Sequence, residues 1–234
     1  DLISWRCMTY RQSHSTGLAR PRFEEYKSMF NTQEKRERAL GVKLGLKPNR
    51  CSSTKCVTVR NPARPGPHGK AFRRASSEFG DQLREKQKIR ASYGIREAAM
   101  RKVFQAALKD PGSTGQFMMA LLERRLDNIV YRLGLAPSRS VARQLVGHGH
   151  IMVNGKRVDI PSYVLRVGDV VSIRPASKDH AGLRNLSESM KHYEAPVWLA
   201  LDKEKYEGKV LQLPKDFDVP FDVNMVVDYY SKIN

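Results

Sequence analysis

The chain is short of three things. It has only three cysteines in 234 residues, Cys7, Cys51 and Cys56. That is too few for a disulfide framework, so stability is expected to come from a packed core in a reducing compartment. It has no run of about 18 apolar residues, so no helix is expected to span a bilayer. No apolar signal core precedes the basic residues, which argues against secretion. It is also short of acid, with 24 Asp and Glu against 42 Lys and Arg, a formal net charge of +18. Such an imbalance is foreign to most metabolic enzymes and suits a polyanionic partner. The charge is unevenly spread: +15 over residues 1–116, +5 over 117–175 and −2 over 176–234. The polyanion is expected to meet the first three-quarters of the chain, leaving the tail another task.

The length suffices for one large or two modest domains. Residues 1–69 are the least regular, with "GLARPRF" and "RNPARPGPHGK" too rich in proline for long helices. Between them "EEYKSMFNTQEKRERALG" predicts a short charged helix stopped near Gly41. The whole reads as an extended basic arm that orders against a partner. From Ser76 the sequence turns helical. "SSEFGDQLREKQKIRASYG" carries Arg84, Lys86, Lys88 and Arg90, with Leu83, Ile89 and Tyr93 as its core contacts. Met100, Val103, Phe104, Ala107 and Leu108 follow the spacing of a buried helical stripe. "DPGST" stops that helix, and Ser113 or Thr114 caps the next. That next helix reads as continuous through "GQFMMALLERRLDNIVYRLGL", with Met118, Leu122, Leu126, Ile129, Val130 and Leu133 on one face.

The stretch "SRSVARQLVGHGHIMVNGKRVDI", residues 138–160, is the densest in signals. Ser138 caps a short helix ending near Gly147, whose apolar side is Val141, Ala142, Leu145 and Val146. Arg139 and Arg143 stand one turn apart on the other face. "HIMVNGKRV" predicts two strands joined by Asn154-Gly155, and "GDVVSIRP" supplies a third. Arg139, Arg143, His148, His150 and Lys156 are thereby set around one edge. Two histidines on one strand face are geometrically able to share a metal. No carboxylate or cysteine lies close in sequence to complete a shell, and no serine–histidine–acid constellation is evident. Contact with phosphates or bases is the better use of these imidazoles.

"LLERRLDNIVYRLGLAPSRSVARQLVGHGHIMVNGKRVDIPSYVLRVGDVVSI" resembles the RNA-binding module named after small-subunit ribosomal protein S-four. Several RNA enzymes carry that module, so the flanks decide. "PGPHGKAFRRASSEFGDQLREKQKIRASYGI" resembles the N-terminal domain of the ribosomal family itself, and "APVWLALDKEKYEGKVLQLP" with "NMVVDYYSKIN" resembles its tail. The resemblance covers about 41–234 and is most specific over 62–175. It implies an α+β architecture, a mainly helical domain with an inserted small helix–hairpin–sheet RNA-binding module. The expected boundaries are an arm over 1–69, the helical domain over 70–116 plus 181–234, and the module over 117–180. Val226, Val227, Tyr229 and Tyr230 are expected to pack the tail onto the helical domain.

The resemblance also implies a role. Family members bind the five-prime domain of small-subunit rRNA, nucleate assembly at a helix junction, and line the mRNA entry channel beside ribosomal protein S-five, influencing accuracy. The matching channel positions are Lys70, Arg73 and Arg74. The expected rRNA contacts are Arg84, Lys86, Lys88 and Arg90 in one domain. In the module they are Arg124, Arg125, Arg139, Arg143, Gln144, His148, His150, Asn154 and Lys156. No enzymatic activity is expected: a pseudouridine synthase anchored by the same module needs a catalytic domain of well over about a hundred residues, and only 59 residues follow position 175. A free-standing stress-related RNA-binding factor would not need the N-terminal helical domain. No membrane partner, homo-oligomer or cofactor is expected.

Some members of the family hold zinc through two cysteine pairs, the second as Cys-x4-Cys. Cys51 and Cys56 match that second pair. The first is missing, with only Cys7 and His14 nearby. Two readings stand, a Cys7–His14–Cys51–Cys56 zinc site and a degenerate site with free thiols, and the second is preferred. The unusual first 40 residues and the non-Met start lean towards an organelle ribosome, a mitochondrial one, with a divergent bacterial lineage as the alternative.

Overall fold

The computed structural model describes residues 32–72, 75–177, 190, 193–215 and 220–233. The order begins with three short helices, α1 (Thr32–Leu40), α2 (Pro48–Cys51) and α3 (Val57–Arg60). Helices of this length do not persist alone, and buried carboxylates hold them in place. Glu37, 2% exposed, accepts the amides of Leu44 and Leu46 at 3.1 and 3.0 Å. Glu34 pairs with Arg50 at 3.1 Å, and Arg38 donates to the Ala63 carbonyl at 2.8 Å. The extended arm expected over 1–69 is therefore corrected from residue 32 onward. Polar side chains bond that segment to itself. Residues 1–31 lie outside the described residues.

Next come α4 (Glu78–Tyr93), α5 (Glu97–Ala107), α6 (Thr114–Glu123), α7 (Leu126–Arg132) and α8 (Arg139–Gly147). The Ser77 hydroxyl accepts the Gly80 amide at the start of α4, and Gly94 ends it at φ 60. That left-handed step costs glycine little. The strands are β1 (Ile151–Val153), β2 (Lys156–Arg157), β3 (Val170–Ile173), β4 (Leu199–Asp202) and β5 (Glu207–Val210), and α9 (Val223–Ser231) closes the chain. α1 packs on α3 and on α4.

Apolar burial is divided between two cores. One gathers Ile89 and Tyr93 from α4, Met100, Phe104 and Ala107 from α5, and Met118, Met119 and Leu122 from α6. Val226, Tyr229 and Tyr230 of α9 complete it, with Val227 partly buried beside them. The expected packing of the tail helix is thus observed. Leu108 is the exception to its stripe: the helix has ended and the side chain is 54% exposed. The second core joins Leu126, Ile129, Val130 and Leu133 of α7 to Ala142, Leu145 and Val146 of α8 and to the inner face of the sheet.

The single long helix expected through residues 115–135 is two helices. Arg124 caps α6 and Arg125, at ψ 139, precedes α7. The break is stabilised from elsewhere in the chain, because the Leu126 and Asp127 amides donate to the carbonyls of Tyr163 and Pro161 at 2.8 and 3.2 Å. Those are donors that a new helix start leaves without a partner. Met118 and Leu122 therefore serve one core and Leu126–Leu133 the other, and the divide falls at Arg124 instead of 117.

A second boundary also moves. The antiparallel sheet runs in the order β2-β1-β3-β5-β4. Val170 pairs with Lys209, Val171 with Gly208 and Ser172 with Glu207, so residues 199–210 extend the module's sheet. Of the tail assigned to the helical domain, α9 goes there and the β4–β5 hairpin does not. Asn154 at φ 51 and Gly155 at φ 76 make the tight turn expected between β1 and β2.

Candidate nucleic-acid interface

A groove of about 550 Å³ curves around the end of α4, lined by Arg36, Ala39, Leu40, Gln87, Arg90, Ala91, Gly94, Ile95 and Arg96. Past Gly94 it narrows to a cleft of about 210 Å³ walled by Arg36, Tyr93, Tyr131, Arg139, Ser140 and Arg143 among others. No carboxylate lines either part. The side chains of Arg36 and Arg96 are exposed and make no hydrogen bond or ion pair among the described residues. Arg90 Nε is buried without a hydrogen-bond partner. A concave surface of this kind, with several guanidinium groups and no acid, concentrates anions and matches phosphate geometry.

The narrow end is built by a buried polar seam between the two cores. Glu123, 2% exposed, accepts Arg132 Nε and Nη2 at 3.0 and 2.9 Å, the Tyr93 hydroxyl at 2.5 Å and Asn128 Nδ2 at 2.7 Å. Burial pushes its carboxyl up, but the bonds and charge of Arg132 and the Tyr93 hydroxyl outweigh it, so Glu123 sits below the usual carboxylate range. Burial and the Glu123 charge both push the Tyr93 phenol well up, keeping it a donor. Asp127, 3% exposed, accepts Arg125 Nε and Nη2 at 3.1 and 2.9 Å and Arg143 Nε at 3.0 Å.

The predicted contacts fall into two groups. Several are internal. Lys86, 4% exposed, donates to Tyr229 Oη at 3.0 Å and to Glu97 at 3.2 Å, with its ammonium 4.1 Å from the Tyr229 ring centre. It fastens α9 to α4 and is corrected from an RNA contact to a core cation. Arg125, 8% exposed, is likewise spent on Asp127. Arg139 donates to Asn128 Oδ1 at 2.8 Å and lies 4.9 and 4.6 Å from the ring centres of Tyr93 and Tyr131. Arg143 donates to Asp127 and to the Tyr93 and Gly94 carbonyls. Arg124 donates to the Leu165 carbonyl at 2.8 Å. The other α4 cations are half-buried and paired, Arg84 with Asp81, Lys88 with Glu85 and Arg90 with Glu97.

The remaining group faces outward. Gln144, His148 and Lys156 are exposed, Lys156 beside exposed Arg157 in β2. Arg166 and Arg174 are also exposed, and like those of Lys156 and Arg157 their side chains make no hydrogen bond or ion pair among the described residues. His150 is half-buried, its Nδ1 3.0 Å from Ser177 Oγ, and its ring meets that of His148 edge-on at 5.9 Å. Asn154 is exposed, but its amide is occupied by Asp169 and the Val170 N–H. Lys70 is exposed, whereas Arg73 and Arg74 lie outside the described residues. Sequence reasoning missed Arg36, Arg96, Arg157, Arg166 and Arg174. A signal existed for Arg96, which follows the glycine that ends a cationic helix.

Among the described residues no three metal-ligating side chains cluster. Cys51 and Cys56 are free, and the Cys56 sulfur lies 3.0 Å from the Thr58 hydroxyl. Two thiols without a third ligand do not make a zinc shell; Cys7 and His14 lie outside the described residues.

An arginine-rich groove joined to a helix–hairpin module is the architecture of a polyanion-binding class of protein, and the sequence matches known families. Residues 29–123 match the "Ribosomal protein S4/S9 N-terminal domain" and 124–171 the "S4 domain", dividing the chain where the two cores divide. Small ribosomal subunit protein uS4 of Acetivibrio thermocellus is 48% identical over 194 residues, 82% of this chain and 93% of that protein. The uS4 protein of Thermus thermophilus is 48% identical and uS4A of Alkaliphilus metalliredigens 47% identical over the same shares. The chain belongs to the uS4 family of small ribosomal subunit proteins, a structural family and not an enzymatic one. These relatives are bacterial, and they give no support to the mitochondrial assignment.

Proposed function

We propose that this chain binds small-subunit rRNA in its five-prime domain, joins the particle early and nucleates folding at a helix junction. The observation that carries the reading is the acid-free groove around Gly94, with Arg36, Arg90 and Arg96 on its wall. The exposed cations Lys156, Arg157, Arg166 and Arg174 of the module supply a second contact surface. Phosphate contacts from two surfaces fix orientation, and a folded RNA that presents phosphates to both at once is favoured over a plain duplex.

The same reading places Lys70, with Arg73 and Arg74, along incoming mRNA at the entry channel, beside the neighbouring ribosomal protein S-five. Phe72, 95% exposed two residues beyond exposed Lys70, supports it, because an aromatic face beside cations suits unpaired bases.

The test is binding of the full chain to a five-prime-domain rRNA transcript across a salt series, with an unrelated structured RNA as control. Tight binding that prefers the transcript is the expected result. Equal, weak binding to both RNAs, lost alike with salt, would reduce the protein to a generic polycation and overturn the reading.

A further inference from the structure

Arg139 and Arg143 line the narrow end of the groove, yet their donors are turned inward. The three guanidinium nitrogens of Arg143 make four hydrogen bonds: two to Asp127, one to the Tyr93 carbonyl at 3.1 Å and one to the Gly94 carbonyl. Tyr93 and Gly94 end α4 in the helical core, whereas Asp127 and Arg143 belong to α7 and α8 of the module. A cation on the last carbonyls of a helix is favourably placed. Arg139 repeats the pattern, reaching Asn128 Oδ1 at 2.8 Å within the module and Ser92 Oγ at 3.4 Å in α4.

We propose that Arg139 and Arg143, held by Asp127 and Asn128, are positioning residues that lock the angle between the helical core and the module. The RNA-contact surfaces on the two sides then meet one folded RNA together. This inference rests on the RNA-binding reading above and specifies what selects the RNA. With the angle fixed, engagement of the second surface is intramolecular, and affinity exceeds that of either surface alone. With the angle free, both surfaces still reach their phosphates, but the second engages at a lower effective concentration, so affinity falls while the contacts remain. The planar fork is required, because a lysine ammonium cannot span a carboxylate and two carbonyls from one rigid group.

The role of Asp127 separates this from direct contact. Asp127→Asn removes a negative charge, so any purely electrostatic account has RNA binding unchanged or tightened. The positioning account has it weakened.

The experiment measures transcript binding across salt for the wild type, Asp127→Asn, Arg143→Lys and Arg143→Ala as full chains. Circular dichroism melts confirm folding. Nitroxide labels on p-acetylphenylalanine at positions 109 and 205, one on each side of the seam, report the spread of inter-core distances. The expected result is that Asp127→Asn and Arg143→Lys each lose about tenfold or more in affinity and broaden the distance distribution. The slope of log affinity against log salt stays that of the wild type, since no phosphate contact is lost. Should Asp127→Asn not fold, the Arg143→Lys variant carries the comparison. Arg143→Lys binding like the wild type, with Arg143→Ala lowering the slope by about one, would make Arg143 a phosphate contact and overturn the inference. A wild type that does not prefer the transcript would sink the RNA reading instead, and the distance distributions would still decide whether the two arginines lock the angle.

Discussion

The seam between the two cores and the outer face of the module use the same residue type for opposite ends. On the seam, Arg125, Arg132, Arg139 and Arg143 are neutralised by Glu123 and Asp127 or held by Asn128. On the module's face, Lys156, Arg157, Arg166 and Arg174 have no such partner among the described residues. Glu123 and Asp127 are buried where they organise arginine, and the four cations of the module's face stay bare among the described residues. Charge count alone therefore does not separate the two regions; the number of side-chain donors left unbonded does.

The largest effect is expected where the seam has one acid serving many donors. Glu123→Ala leaves the buried Tyr93 hydroxyl and the half-buried Arg132 guanidinium without their acceptor, while Asn128 keeps only its bond to the residue-123 carbonyl. Breaking one partner of a buried pair costs about 3–5 kcal/mol, and a urea midpoint lowered to match is expected. An Arg157→Ala variant made beside it should unfold like the wild type. Equal losses in the two variants would erase the distinction between seam and face.

Much of this division is legible in the sequence, and its failures have a common cause. The stripes Met100–Phe104–Ala107 and Ala142–Leu145–Val146 and the Asn154-Gly155 turn follow from local periodicity and turn chemistry. Lys86 was legible too: it precedes Ile89 by three and Tyr93 by seven, so it lies on the buried face of α4 and needs a partner there. What local pattern does not carry is the break at Arg124–Arg125, because the amides of α7 are satisfied by a loop some 35 residues later. The pairing of β3 with β5 is of the same kind, a register between residues about 37 apart. The partners that claim Arg139 and Arg143 were equally hidden, since only the fold brings Asn128 and Asp127 to the end of α4.

A second, smaller effect tests the module's core from the sheet side. A methyl group at Gly208 would run into the side chain of Leu133, which is fully buried and has no room to retreat. Gly208→Ala is expected to cost about 1–3 kcal/mol through overpacking. Hydrogen exchange should rise in β3, β5 and α7 while α4, α5 and α9 keep their protection. Uniform loss of protection would show that the two cores unfold as one unit.

Acid sharpens the contrast next. Glu123 and Glu97 both lie below the usual carboxylate range, each against its own burial, Glu123 through Arg132 and Tyr93, Glu97 through Tyr230 and Lys86. Groups depressed in the folded state stabilise it above their unfolded value, about 4.3 for Glu. That contribution is lost as pH falls through the folded value. Melting temperature should therefore hold from neutral pH to about 4.3 and fall below it, more gently in Glu123→Ala than in the wild type. An identical acid limb in the two would remove Glu123 from the account.

The smallest expected effect on stability belongs to the outer face, and it is there that RNA binding should respond most specifically. The side chains of Lys156 and Arg157 are exposed and unbonded within the described residues, so replacing both by alanine should change unfolding free energy by no more than about 0.5 kcal/mol. Each is expected to neutralise one phosphate, and the slope of log affinity against log salt should fall by about two in the double variant. Weakening should be similar for the five-prime-domain transcript and for an unrelated RNA, because phosphate contacts orient without reading sequence. Seam variants should behave in the opposite way, losing preference for the transcript while keeping the salt slope. A double variant with an unchanged slope would mean that the β1–β2 hairpin faces away from the RNA, and the contact surface would contract to the groove around Gly94.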